Sequence, residues 1–222
     1  MFDLQLLADS FLDILLPGIL MTIPLTIISF AIGMVIAVAT ALVQFANVKI
    51  LKQLARFYVW VIRGTPLLVQ LYVVFYGLPN LNIVLDPFPS AVIVFALNTG
   101  AYCSETIRGS LESVPTGQIE AGYCVGMSYL QIMWRIVMPQ ALRTAFPALS
   151  NSLISLVKDT SLASTITVTE MLMVTKQIIA RTYQALGLYL EAALIYLVFS
   201  TVFTKLQRMG EKRLSSYGSH KE

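Results

Sequence analysis

Asn98, Tyr102 and Glu105 recur at spacings of four and three residues inside an apolar stretch, Ser90 to about Ile107, with Thr99 adjacent and Arg108 three residues further on. On a helix this spacing puts them on one face. An amide, a phenol and a carboxylate are costly among lipid chains, so the stripe must face a polar cavity or another helix. Its chemistry is hydrogen bonding and charge pairing: Asn98 as interhelical glue, Glu105 and Arg108 as an ion pair three residues apart, or all of them as the wall of a polar pathway. A second polar group, Lys158-Asp159-Thr160-Ser161, follows the apolar run from about Ala141 to Val157, either as a solvated helix end or as an acid and two hydroxyls offered for binding. A third, Arg63-Gly64-Thr65-Pro66, interrupts the stretch Phe57 to Leu78 near its start. Pro66 lacks a helical N–H and Gly64 permits close packing, so a kink is expected there. Arg63 then either snorkels to the headgroups and closes an ion pair or faces the interior. Glu191 has no obvious partner in the sequence; it is expected near the outer surface without a role.

Catalytic and metal chemistry find little material. The only histidine is His220, near the C-terminal end, and Cys103 and Cys124 fit neither a disulfide framework nor a metal-ligand spacing. No catalytic residue, metal or cofactor is therefore expected.

The elements that must position these groups are membrane helices. Of 222 residues, 57% are hydrophobic and 12% charged, with mean hydropathy +0.75. Soluble domains carry about 25% charged residues, so lipid must be the solvent for much of this chain. A span needs about 20 mainly apolar residues, and five stretches qualify: Pro17–Phe45, Phe57–Leu78, Ser90–Ile107, Ala141–Val157 and Leu186–Leu206. The acidic start (Asp3, Asp9, Asp13, with no lysine or arginine before Pro17) is the reverse of a signal peptide's basic region. The net charge of +3 is small and its basic residues are scattered, which argues against nucleic-acid binding. The chain reads as an N-terminal extracytoplasmic segment (1–16), a membrane domain (17–210) and a short cytoplasmic tail (211–222).

Orientation follows from the basic residues. With the N-terminus outside, the inner segments hold Lys49, Lys52, Arg56, Arg108, Arg135, Arg143, Lys205, Arg208, Lys212, Arg213 and Lys221, and the outer ones only Lys158, Lys176 and Arg181. The positive-inside rule then places the C-terminus in the cytoplasm. Two connections are long: Gly109–Gln140 inside, and Asp159–Ala185 outside, whose periodic stretch Val168–Ile179 predicts a re-entrant or interfacial helix.

The inner connection carries the most specific pattern, Glu120-Ala121-Gly122-Tyr123-Cys124-Val125-Gly126 and then Ile136-Val137-Met138-Pro139. Pro115 and Thr116 open a short helix with Thr116 as N-cap, and Gly126 stops it. A second helix, from about Ser128 to Val137, is expected to end at Pro139. This resembles the EAA motif of ABC importer permeases, at Glu120, Ala121, Gly126, Ile136 and Pro139. Gly122 stands in place of the second alanine, which would loosen the helix by about 1 kcal/mol, and Met138 in place of leucine. An ordinary amphipathic connector is the bland alternative.

Further stretches are similar to the polar amino-acid uptake branch of that family, the histidine, glutamine, arginine and cystine permease group, and most of all to L-cystine permeases: Arg63-Gly64-Thr65-Pro66-Leu67, Leu97-Asn98-Thr99-Gly100-Ala101-Tyr102, Glu105-Thr106-Ile107-Arg108-Gly109 and Ser155 to Leu162. The resemblance spans about residues 15 to 210. It implies an all-α integral membrane protein of the type I ABC importer permease fold, with five transmembrane helices and a cytoplasmic coupling helix at about 115–139. It implies a membrane transport subunit rather than an enzyme, in a bacterial inner membrane. The implied partners are two cytoplasmic ATP-binding subunits, an extracytoplasmic substrate-binding protein and a second permease subunit, identical or paralogous. With no Gly-x-x-x-x-Gly-Lys loop here, ATP hydrolysis must lie on another chain. The resemblance also implies a substrate pathway of Thr65, Asn98, Tyr102, Glu105, Asp159, Thr160 and Ser161. There Asp159 would meet an amino acid's ammonium, while Thr160 and Ser161 help a helix N-terminus hold its carboxylate. Coupling falls to Glu120, Ala121, Gly122, Gly126, Ile136 and Pro139. The alternative classes are an ion-gradient-driven transporter or channel subunit using Glu105 and Asp159, and an intramembrane enzyme or scaffold.

Overall fold

The computed structural model describes residues 4–45 and 49–216, and these are helical nearly throughout. Helix α1 (Leu4–Pro17) runs through a wide π turn (Gly18–Thr22) into α2 (Ile23–Phe45). Helix α3 (Lys49–Gly64) precedes a sharp break and α4 (Leu67–Tyr72), which continues through a π turn (Val73–Gly77) and a 3-10 turn (Leu78–Leu81). Helix α5 (Pro87–Glu112) leads to the short α6 (Thr116–Cys124). Then α7 (Tyr129–Ile132) passes through a third π turn (Met133–Val137) into α8 (Met138–Asp159), which ends in a 3-10 turn (Thr160–Ile166). Helices α9 (Met171–Thr182) and α10 (Ala185–Ser216) complete the fold.

Several sequence expectations need correction. The first helix starts by Gln5 and is continuous to Phe45 over 41 residues, so residues 5–16 run into the apolar stretch that follows as one helix. Residues 1–3 lie outside the described region, as do His220 and Lys221 in the tail. The tail itself is helical to Ser216. The break at Thr65–Pro66 does not sit near the start of a span but divides two helices bent by 105°. Gly64 plays no packing part, since a Cβ there would meet nothing within 4 Å. Among the described residues, two helices qualify as spans by length and apolarity, three if the bent pair counts as one. Helices α5 and α8 are more polar, yet at 26 and 22 residues they are about 39 and 33 Å long, enough for a hydrocarbon core of about 30 Å.

Each π turn has the same local cause. Ile23, Leu78 and Met138 donate their backbone N–H five residues back, to Gly18, Val73 and Met133, and each directly precedes a proline. A proline ring collides with the carbonyl four residues before it; widening the preceding turn moves that carbonyl aside and lets the helix continue. This is why the chain does not stop at Pro139.

Helices α2 and α5 pack closely. A Cβ on Gly33 would fall 2.9 Å from Thr99 and 3.0 Å from the Ala96 carbonyl; one on Gly100 would fall 2.7 Å from Ile36. Small residues let membrane helices approach until their backbones touch. Gly33→Val is therefore expected to cost about 1–3 kcal/mol, lowering the thermal aggregation midpoint in detergent. Gly109→Ala, where a Cβ meets nothing, should not shift it.

Candidate functional site

The 105° break opens a polar cavity. Its volume is about 690 Å³, and its lining includes Arg63, Thr65, Asn98, Tyr102, Ser155 and Asp159. Three elements build it. The bend exposes the end of α3 and the start of α4; α5 presents Phe95, Asn98, Thr99 and Tyr102; α8 presents Asn151, Ser152, Ser155 and Asp159. Asn151, Ser155 and Asp159 lie four apart, a polar stripe on α8 matching that on α5. The α8 stripe went unread in the sequence because only Asp159 is charged, but its i, i+4, i+8 spacing was the available signal.

Gln70 is the other residue that sequence reading missed. Its amide nitrogen lies 2.7 Å from the Ile62 carbonyl, 3.1 Å from that of Thr65 and 2.9 Å from the Thr65 hydroxyl, while its carbonyl accepts from the Asn98 amide at 3.2 Å. One side chain thus satisfies carbonyls freed where α3 stops and ties the break to α5. A lone glutamine in Leu67–Phe75, otherwise apolar and aromatic, was the visible clue. Asn98 is both glue and cavity wall.

The expected pathway residues divide. Thr65, Asn98, Tyr102 and Asp159 line the cavity. Glu105 does not; it lines a second, smaller chamber of about 280 Å³ one turn further along α5, with Gln44, Arg56, Arg63, Arg108 and Glu112. There it accepts from Arg108 at 2.8 Å and from Gln44 at 3.2 Å, so the expected i,i+3 ion pair is present; Arg108 also holds Glu112 at 2.7 Å. Thr160 is corrected: it is fully buried and its hydroxyl donates to the Val157 carbonyl at 2.6 Å. Ser161 is half-buried outside the lining, and no helix starts beside it, because the segment continues α8 as a 3-10 turn. Arg63 forms no ion pair within 4 Å among the described residues; its guanidinium carbon sits 5.2 Å from the centre of the Tyr102 ring. Glu191 does have a partner: it is buried and accepts from Ser10 at 2.7 Å, pinning α1 to α10.

The segment after α5 forms a compact projection. Pro115, not Thr116, holds the N-cap position of α6. At its other end the N–H groups of Gly126 and Met127 bond the carbonyls of Tyr123 and Gly122, the paired pattern of a Schellman motif, with Gly126 at φ +80°. Ser128 and Gln131 then cap α7 reciprocally. Gly122 packs rather than loosens: a Cβ there would lie 2.8 Å from Ile132 and 3.3 Å from Ile136. Ile132, Met133 and Val137 bury beneath α6 with Leu111 and Val114, and Gln140 bonds Gln118 across the gap. Glu120, Ala121 and Cys124 are left exposed beside Tyr123, Val125 (76% exposed), Leu130 (67%) and Trp134 (71%). An exposed acid and exposed apolar residues on one projecting segment are features that a contact surface carries.

Comparison with known proteins agrees with this geometry. Residues 29–216 match the family described as binding-protein-dependent transport system inner membrane component. The L-cystine transport system permease protein TcyB of Bacillus subtilis (strain 168) is 51% identical over 214 residues, 96% of this chain and 92% of that protein. The nopaline transport system permease protein NocM of Agrobacterium fabrum (strain C58) is 42% identical over 94% of this chain and 90% of its own. A solved amino acid ABC transporter with histidines superposes with TM-score 0.87 at 32% identity, covering 93% of this chain and 96% of that one.

Proposed function

This chain belongs to the family of binding-protein-dependent transport system inner membrane components, and from that premise we propose that it carries L-cystine through the cavity at the α3–α4 break. It is the permease subunit of an amino-acid ABC importer, an inner-membrane transport component whose ATPase is a separate subunit. The ion-gradient and intramembrane-enzyme alternatives are set aside.

The observation that carries the substrate reading is the 51% identity to an L-cystine permease across nearly the whole chain. The cavity supports it. Its lining holds one carboxylate, Asp159, and one strong cation, Arg63, with hydroxyls and amides between. A zwitterionic amino acid presents the complementary pair, with ammonium to Asp159 and carboxylate toward the Arg63 end. Here Arg63 takes the part first given to a helix N-terminus near Thr160 and Ser161.

The working assembly in this reading has two permease subunits, identical or paralogous, two ATP-binding subunits and an extracytoplasmic binding protein. Each permease has five spans: α1–α2 as one, the bent α3–α4 pair, α5, α8 and α10. The N-terminus lies outside and the C-terminus in the cytoplasm, which puts α6 within reach of the ATPase. ATP-driven closure pushes on α6 and, through α5 and α8, reshapes the cavity walls those helices carry.

The test is uptake by proteoliposomes holding the whole assembly. ATP-dependent accumulation of labelled L-cystine, displaced by excess unlabelled cystine and not by arginine or nopaline, is the expected result. Accumulation of another amino acid, with cystine inert, would overturn the substrate assignment and leave the transporter class standing.

A further inference from the structure

The cavity and the smaller chamber lie in sequence along α5. Residues 95–102 line the first; Glu105, Arg108 and Glu112, on the following turns, line the second. The second chamber is the one nearer α6, because only Ser113, Val114 and Pro115 separate Glu112 from that helix. Among the described residues, Arg63 lines both. It stands at the boundary from the α3 side as Tyr102 does from the α5 side, and its guanidinium sits over the Tyr102 ring.

We propose that Arg63 seated on Tyr102 is the gate between the two chambers, closed when the guanidinium covers the aromatic face and opened when it passes one turn along α5 to the Glu105 carboxylate. Three features support this beyond the contact itself. Tyr102 and Glu105 are i and i+3 on one helix face, so a rotamer change moves the guanidinium from one to the other, over about 5 Å. Arginine suits both seats, being planar enough to stack and able to fork onto a carboxylate. Arg63 is also the last side chain before the 105° break, since Gly64 has none. Any change in that angle therefore shifts Arg63 relative to α5. Arg108 does not compete for the aromatic seat, because both its carboxylate partners, Glu105 and Glu112, hold it in the smaller chamber.

The proposal rests on reading the larger cavity as the substrate pathway, and one preparation separates the two. Inside-out vesicles carry the full assembly with Ser155→Cys in the cavity and Cys124→Ser to remove the exposed native thiol. A charged methanethiosulfonate is added on the α6 side without ATP, and assembly of each variant is checked by co-purification with the ATP-binding subunit. With Arg63 and Tyr102 intact, labelling of residue 155 should be slow. Tyr102→Phe keeps the aromatic seat and should label at the same rate. Tyr102→Leu and Arg63→Ala should each label at least about tenfold faster; if Tyr102→Leu fails to assemble, Arg63→Ala reports the same gate from α3. Equal rates for Arg63→Ala and the intact pair overturn the gate. So does acceleration by Tyr102→Phe equal to that by Tyr102→Leu. Failure of unsubstituted vesicles, loaded inside with labelled L-cystine and the binding protein, to release the label when ATP is added outside would instead overturn the pathway reading, whatever the labelling shows.

Discussion

Gly126→Val is expected to cut uptake at least about tenfold while the chain still reaches the membrane at its normal level. Gly126 sits at φ +80° and terminates α6 through two backbone hydrogen bonds. A side chain with a branched Cβ is strained in that region, by roughly 1–2 kcal/mol or more. The strain is relieved most cheaply by fraying the last turn of α6, which carries Tyr123 and Cys124 and lies next to Glu120. The buried cluster beneath, with Ile132 and Val137, is untouched, so the membrane helices should still assemble. Glu120→Ala should have a similar effect by a different route, removing an exposed acid of α6 without disturbing the backbone. In both variants the associated ATPase should keep hydrolysing ATP, so that nucleotide consumed per molecule imported rises. Normal uptake in both would mean that this projection transmits nothing.

Asp159→Asn is expected to reduce uptake by about 10- to 100-fold. A charge-assisted hydrogen bond is worth about 1.5–3 kcal/mol, and 1.4 kcal/mol is a factor of ten. Asn keeps the size and one acceptor but not the charge that meets an ammonium. Among the described residues, Asp159 is the only carboxylate on the cavity wall, so no described neighbour substitutes for it. The flanking residues sharpen the test. Lys158 is exposed and outside the lining, and Lys158→Ala should transport nearly normally. Ser161→Ala should do the same. Thr160→Ala should affect stability before transport, because that hydroxyl serves the Val157 carbonyl inside the fold. Equal activity of Asp159→Asn and the natural chain would remove Asp159 from the pathway.

Much of this was legible in the residues because membrane helices announce themselves by composition and because a helix end that needs a left-handed residue shows its glycine. The stripe Asn98–Tyr102–Glu105, the stop at Gly126 and a second helix beginning near Ser128 all follow from local rules. What was not legible depends on where separate helices meet. The spacing of Glu105 with Asn98 and Tyr102 is the same whether one cavity or two lie along α5; only α2 and α3, by bringing Gln44 and Arg56 opposite Glu105, make it two. Gly122 read as a weak point because propensity is local, whereas its role is to let Ile132 approach. Pro139 read as a stop because the π turn that accommodates it has no single-residue signature. Glu191 read as orphaned because its partner, Ser10, is 181 residues away.

The central claim is that α6 is the surface an ATP-binding subunit grips, and the chain carries its own reporter. Cys124 lies on α6 and is exposed, while Cys103 is buried. Membranes holding the whole assembly can be treated with a short thiol-to-amine cross-linker. The expected product is an adduct of this chain with the ATP-binding subunit, absent from Cys124→Ser and changed in yield when ATP is trapped. Cross-linking of Cys124 to the binding protein instead, or its modification by an impermeant reagent applied from the extracytoplasmic side, would contradict the account.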